Sequence, residues 1–535
     1  MARSIRNDPV STESSLENPA RTLPELPFRA VWLLVFVAYV VFQARYWWIP
    51  AYHDGIPHWD IARAMHQAPW YPFVNASDSG HPPLVSWLLG LLWWLPFPRL
   101  MAFHLLAWAA VATLVSSTFE IGRRHFGTGV GVGAALLTGL HPVVVAQALQ
   151  LNLDLFAAAF TLVALVGATR RSPTMTTIGC VGATFSKLNG IFALLPISLW
   201  LLNEWARQPK RTSNSFARAQ SPVLLTILLF AAYHGAKRGL TGHWFVTPDA
   251  VEANLTFVSS AGEYLGRFDH AWRQVFSFNN PNRFVAYALA LSLAVLVLRG
   301  NRAHASTSTR AVVALLIALI VTQLALWSVR RYPSLVRYFI VLYPAFFLLT
   351  CAALATALGR FARAGLPAVL APILLAFIAG WNPAYRRSLP PRLARSLSMP
   401  PTSVGTNHEN SLDLIDQLDT FRQAVARLNL LVRTEAPDAR TAVAWPYDHY
   451  LADPEHQITA HPLALSPWAS VSGTQAEFAL LTSSGDSTRS PSRAVIPSGY
   501  QVESAFSRGR AWTVLLRRER GRAVRPGPRR RAPEP

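Results

Sequence analysis

The sequence predicts an all-α polytopic membrane protein, with about eleven transmembrane helices followed by a small soluble α/β domain. Three observations carry this. The chain is 51% hydrophobic and 14% charged, against about 25% charged in average soluble proteins. Apolar runs recur along the first 380 residues, several of them followed by arginines. From about Arg386 the character changes to amphipathic and alternating patterns.

Residues 1–28 are polar, contain Arg3, Arg6 and Arg21, and read as a cytoplasmic tail. No small-residue cleavage site follows, so Ala30–Ile49 is an uncleaved first span whose arginine-flanked start stays inside. The loop 50–98 then lies outside. Within it, Leu84–Leu95 is apolar but too short for the roughly 20 residues that a crossing needs. It is bounded by Pro82-Pro83 and by Pro96 and Pro98, and it carries Trp87, Trp93 and Trp94. That pattern suits a helix lying in the membrane interface. Leu100–Ile121 then crosses inward and delivers Arg123-Arg124-His125 to the cytoplasm.

Gly127–Gln147 goes out, and Leu151–Ala168 returns to Arg170-Arg171. Thr174–Trp205 goes out and back around a polar turn, Ser186–Gly190, because Lys210-Arg211 is again basic. Pro222–Gly235 and its flanks go out, which leaves Lys237-Arg238 outside, against the usual bias. A second outer loop spans 240–282. Arg283–Leu298, Ala311–Trp327, Leu335–Ala357 and Leu366–Ala379 complete the set. The transmembrane domain thus covers 29–385, with the N-terminus inside and the region after it outside.

In the domain at 386–517, Ser411–Val432 places Ile415, Leu418, Phe421, Val425 and Leu428 on one helical stripe. Strand-like runs follow at Thr441–Trp445, Phe478–Thr482 and Trp512–Leu516. Residues 518–535 are an Arg/Pro tail of disordered composition.

The net charge of +21 comes from arginines spread between apolar spans rather than gathered on one soluble face, which argues against nucleic-acid binding. Cys180 and Cys351 both lie in apolar segments, so a disulfide framework is not expected.

The residues able to carry chemistry fall on the outer side. Asp54, Asp60 and Asp78 lie in the first loop. Asp54, in His-Asp-Gly, is a turn carboxylate or a general base. Asp60 reads as the start of a helical turn, a stabilising place for a carboxylate. Asp78 reads as a turn residue. Asp154 enters an apolar span, where a carboxylate either caps the helix or has a function. Lys187 stands at the turn of the Thr174–Trp205 pair; its ammonium suits a phosphate or snorkels to the interface. Arg330-Arg331 and Arg337-Tyr338 flank another outer helix end, as interfacial anchors or as partners of an anion. His53, His58, His66 and His81 cluster in sequence without a recognised metal-ligand spacing.

Taken in order, the acidic loop, HPPL before a Trp-rich helix, LNLDLFAAAF, SKLNG and RYFIVLYPAF resemble the GT-C glycosyltransferases over Ala30 to about Gly380. The match is to the branch of dolichyl-phosphate-mannose protein mannosyltransferases and aminoarabinose transferases. The resemblance implies a multi-pass protein of the cell membrane. Its donor would be a polyprenyl-phosphate-linked sugar, and its acceptor a hydroxyl of a protein, lipid or polysaccharide on the periplasmic face. It implies that Asp54 is the base, because Ala62, Arg63 and Met65 follow at the family's spacing. Gly55 stands where the family usually has Glu. Asp154 matches the second-loop acid. Lys187 and Arg337 match basic positions near the donor phosphate, and Arg331 joins them as a further candidate. His81 stands where some relatives have Lys before Pro. Asp60 and Tyr338 are secondary candidates. Side-chain cations on a monophosphate leaving group reduce the need for a metal, although a divalent ion stays compatible. A transporter or flippase for lipid-linked saccharide would instead call for ionisable residues near the midplane and an inverted repeat, and neither is evident. An inactive homologue is the reading that Gly55 keeps open.

Overall fold

The structure, a computed structural model, describes residues 27–52, 55–71, 81–209, 211–242, 256–276, 282–298, 307–330, 336–381, 388–390, 392–393, 413–444, 447–459, 461–466, 476–483, 496–508 and 511–519. Asp54, His53, Asp78 and Arg331 lie outside the described residues. So do most of the N-terminal tail, parts of the loop 240–282, and the tail from 520.

The apolar runs of the membrane domain are helical, but the run Gly127–Gln147, expected as one crossing, is broken at Leu140-His141, ahead of Pro142, into two helices. Helix α1 is Phe28–Gln43, and α2 (Gly55–Gln67) and α3 (Leu84–Leu92) follow it. Next come α4 (Arg99–Phe126), α5 (Thr128–Gly139), α6 (Pro142–Gln147) and α7 (Leu153–Thr169). Helices α8 (Pro173–Ser186) and α9 (Leu194–Ala206) are joined by a 3-10 turn at Leu188–Ala193. The remainder are α10 (Ser213–Thr241), α11 (Ala261–Phe276), α12 (Asn282–Leu298), α13 (Thr307–Ser328), α14 (Leu342–Leu358) and α15 (Ala362–Trp381). Among the described residues, five helical stretches are long and apolar enough to cross a membrane: 28–46, 99–126, 213–241, 307–328 and 342–380. Helix α3, at nine residues, is too short to cross, as the prolines around it predict.

Helix α4 is the centre of the bundle. It packs against α1, α5, α7 and α14, and 72% of its most apolar window is buried. Helices α7 and α8 pack closest. Gly179 of α8 meets the Ala164 backbone so tightly that a Cβ there would stand 2.2 Å from the Ala164 nitrogen. At one end of the bundle, the fully buried Glu120 of α4 takes Arg123 at 3.1 Å and also bonds Arg124 and Arg170. This ties the ends of α4 and α7 together. The opposite end carries α2 and α3.

The C-terminal domain is a five-stranded mixed sheet covered by one long helix. Its strands are β1 (Thr441–Val443), β2 (Leu465–Ser466), β3 (Phe478–Thr482), β4 (Tyr500–Arg508) and β5 (Ala511–Arg518), in the order β2-β1-β3-β5-β4. Strand β1 runs parallel to β2 and β3, and β5 runs antiparallel to β3 and β4. Helix α16 (Asp413–Glu435) lies across β5 and β4, and its stripe of Leu418, Phe421, Val425 and Leu428 is fully buried. A short helix, α17 (Tyr447–Ala452), packs beside β1 and β2.

Candidate active site

The N-terminus of α7 is the anchor of the site. The chain turns after α6 through Leu151, whose φ of 47° is in the left-handed region, an uncommon place for a non-glycine residue. Asn152 then caps the helix: its side-chain oxygen accepts from the Asp154 backbone N–H at 3.2 Å. The capping role considered for Asp154 therefore belongs to Asn152. Asp154, in the first helical turn, is free to use its carboxylate elsewhere.

That carboxylate faces two cations. Lys187 is the residue after α8, in an extended conformation, and its Nζ donates to Asp154 Oδ2 at 2.6 Å. Arg337 comes from a 3-10 turn, Val336–Phe339, just before α14, with Nε 3.7 Å from the same oxygen. All three side chains are nearly sealed, at 2%, 7% and 4% exposure for Asp154, Lys187 and Arg337. Tyr338 covers the cations. Its ring centroid is 4.5 Å from Lys187 Nζ and 5.5 Å from Arg337 Cζ, within cation–π range. Trp327, from the end of α13, stacks flat on the other ring at 4.5 Å and 7°. Segments far apart in the chain thus converge on one carboxylate oxygen. Burying three charges costs several kcal/mol per ion, a cost offset only by close pairing. Such an arrangement holds two cations rigidly at a helix end and suits an anionic ligand.

One further contact connects the first loop to the turn that carries this cluster. Gly55, the first residue of α2, packs on the loop before α7: a Cβ there would be 2.8 Å from the Gln150 carbonyl oxygen and 3.6 Å from Phe103 Cζ. The glycine is thus required by close approach. Behind it, Ile56 and Trp59 are buried. The residue before Gly55 is Asp54, and the residue four after Gln150 is Asp154.

The other expected residues are placed elsewhere. Asp60 is the sixth residue of α2, not near its start, so its carboxylate does not serve the helix N-terminus. It is half exposed and 4.0 Å from His449 Nδ1 of α17; partial burial raises its carboxyl above the usual range despite His449 and Arg63. His81 faces His58, with ring centroids 6.1 Å apart, and His58 Nδ1 is 3.3 Å from Ser86 Oγ. His66 Nδ1 is 3.2 Å from the Gly90 carbonyl. Among the described residues, no three His, Cys, Asp or Glu side chains gather in a way that could hold a metal ion.

Sequence reasoning missed the residues that fix α2 from above. Arg63 of α2 bonds Asp453 and, at 2.9 Å, Glu455, both in the C-terminal domain. Arg99 of α4 reaches Glu455 at 2.6 Å. The Tyr450 hydroxyl donates to the Ala51 carbonyl at 2.8 Å, and Arg422 of α16 sits 4.3 Å over the Trp48 ring. His456 is buried against Trp59, ring centroids 5.1 Å apart. Burial pushes its imidazole down to about 4, whereas the Arg63 guanidinium, against partial burial, holds Asp453 below the usual carboxylate range. The C-terminal domain therefore grips the helix that follows Asp54.

No family model and no curated protein match the chain. Among solved structures it is similar to ArnT from Cupriavidus metallidurans bound to undecaprenyl phosphate, at 14% identity and a TM-score of 0.47, covering 91% of this chain and 97% of that one. The apo state of the same protein gives 14% identity and 0.45, over 91% and 98%. The Archaeoglobus fulgidus oligosaccharyltransferase in complex with Zn and sulfate gives 13% and 0.41, over 84% and 67%.

Proposed function

We propose that this protein is an integral-membrane glycosyltransferase that moves a sugar from a polyprenyl-phosphate donor to an acceptor hydroxyl, with inversion. The observation that carries the reading is the sealed set Asp154, Lys187, Arg337 and Tyr338, at the bundle end where Gly55 packs on the Gln150 carbonyl. In this reading about eleven segments span the inner membrane. The N-terminus is cytoplasmic. The cluster, the first loop and the C-terminal domain are periplasmic.

Lys187 and Arg337 bind the donor phosphate, with Arg331 and His81 as further contacts from neighbouring loops. Asp154 holds the two cations in position, a role that its ion pairs support. Asp54 accepts the proton of the acceptor hydroxyl as its oxygen attacks the anomeric carbon. The bond from that carbon to the phosphate oxygen breaks on the opposite face, and the lipid phosphate leaves with its charge matched by the cations. A single displacement inverts the anomeric carbon. Every step is a proton or sugar transfer among donor, acceptor and side chains, so none is routed through a metal.

Deleting the gene tests the function. The account expects an envelope glycan or lipid to lose the mass of one sugar residue. Wild-type protein would restore the mass, and a stably inserted Asp54→Asn variant would not. Unchanged envelope glycans would remove the function, and rescue by Asp54→Asn would remove the base.

A further inference from the structure

A groove that the proposed chemistry does not use has its polar end on the side of the bundle away from Asp154. It has a volume of about 490 Å³ and runs between α9 and α13. Helix α9 leads away from the Lys187 turn for 13 residues before Arg207, and at 1.5 Å per residue this puts Arg207 roughly 20 Å from the start of α9. The groove's polar end is therefore separate from the candidate active site.

Its polarity is sorted along its length. Arg207 and Arg310 line one end, together with Asn203 and Thr307. The other end is lined by Pro196, Leu199, Leu315 and Ala318. On α13 the residues facing the groove include Ala311, Ala314 and Ala318, one to two turns apart, which leaves a smooth channel instead of a packed seam. From Pro196 to Arg207 the channel measures roughly 16 Å along α9, close to the ~15 Å hydrocarbon depth of one leaflet. The groove's lining holds two guanidinium groups and no carboxylate. Beside it, Glu204 is engaged by Arg171 at 2.6 Å and stands 3.7 Å from Arg207, so two guanidinium groups share one carboxylate.

An amphiphile with an anionic head and one long apolar tail matches this layout. We propose that the groove binds an anionic glycerophospholipid of the leaflet facing Arg207 and Arg310. Its phosphate lies between the two guanidinium groups, and one acyl chain runs along the alanine face. Arg–phosphate pairing supplies head-group selectivity, and burial of the apolar chain supplies affinity.

Native mass spectrometry of the full-length protein in detergent tests this, with titration by phosphatidylglycerol or by phosphatidylcholine of the same chains. One retained phosphatidylglycerol per protein is expected, held at least ten-fold more tightly than phosphatidylcholine. Arg207→Gln with Arg310→Gln should abolish that preference. Ala314→Leu with Ala318→Leu should weaken binding with both charges intact, so the proposal can still be judged if the charge variant does not fold. Equal binding of the two lipids overturns it, as does wild-type preference in the charge variant. Displacement by inorganic phosphate alone, or preferential capture of a polyprenyl phosphate, also overturns it, because the occupant would then be a free anion or a donor-type lipid. None of these readouts depends on sugar transfer, so the outcome is independent of the proposed function.

Discussion

Replacing Gly55 with alanine probes the contact that joins the first loop to the Asp154 loop. An alanine Cβ would sit 2.8 Å from the Gln150 carbonyl oxygen. Relief to an ordinary contact requires about 0.5 Å of movement between α2 and the loop before α7, in an interior packed too densely to absorb it freely. Overpacking of this kind costs about 1–3 kcal/mol, offset by at most ~1 kcal/mol of helix propensity from Gly→Ala. A 1 Å misplacement at a reacting centre costs about 100-fold, so half of that costs roughly ten-fold. The expected result is a melting temperature a few degrees lower in detergent and sugar transfer about ten-fold slower. Gly55→Glu, which restores the acid usual in the family resembled, should be worse on both counts. Gly235, in α10, has open space around its Cβ position, so Gly235→Ala is the control and should leave transfer unchanged without lowering stability. Wild-type stability and activity in Gly55→Ala would refute the packing argument.

Other perturbations give further expected outcomes. Lys187→Met alone leaves Asp154 with a weaker partner and should lower stability by about 3–5 kcal/mol; adding Asp154→Asn should recover much of that loss in a thermal melt, while transfer stays abolished. Glu455→Ala removes the carboxylate shared by Arg63 and Arg99. These pairs are partly exposed, so the expected loss is about 0.5–1 kcal/mol, seen as faster hydrogen exchange in α2 with little change in α7. The grip on α2 should also weaken in acid. His456 is held neutral, with its imidazole pushed down from 6.5 to about 4. Between those values the unfolded chain binds the extra proton, so stability is full above about 6.5 and is lost as pH falls towards 4, by up to ~1.4 kcal/mol per pH unit. Asp453, held below the usual carboxylate range, adds loss in the same direction at lower pH. His456→Phe should flatten the stability profile between pH 6.5 and 4.

What the sequence disclosed follows from how far each signal reaches along the chain. The bundle helices were legible where each is a local apolar run, and the nine-residue α3 was legible as a non-crossing element from its prolines and tryptophans, whereas α11, polar along much of its length, lay unread in the outer loop 240–282. Asp154, Lys187 and Arg337 stood out because each charge interrupts or borders such a run, and the structure brings the three together. Trp327 was hidden, because its part in the site is a ring stacked on Tyr338, and no spacing announces that. Asp60 was misread, because α2 begins at Gly55, before the run taken as its start. In the C-terminal domain, β3 and β5 have plain apolar runs. Strand β4 carries an irregularity between Val502 and Ser504 that breaks the two-residue alternation, and β2 is only two residues long. The contacts of Arg63 with Asp453 and Glu455 span 390 and 392 residues, beyond any local pattern.

The central claim is sugar transfer with Asp54 as base and Lys187 and Arg337 at the leaving phosphate. It is tested most directly by single-turnover transfer from a polyprenyl-phosphate sugar, catalysed by purified wild-type and Asp54→Asn protein, with the anomeric configuration of the product read by NMR. The account predicts an inverted product, release of one polyprenyl phosphate per sugar transferred, and a rate at least 100-fold lower in the variant. A retained configuration, or an undiminished rate in Asp54→Asn, would contradict it.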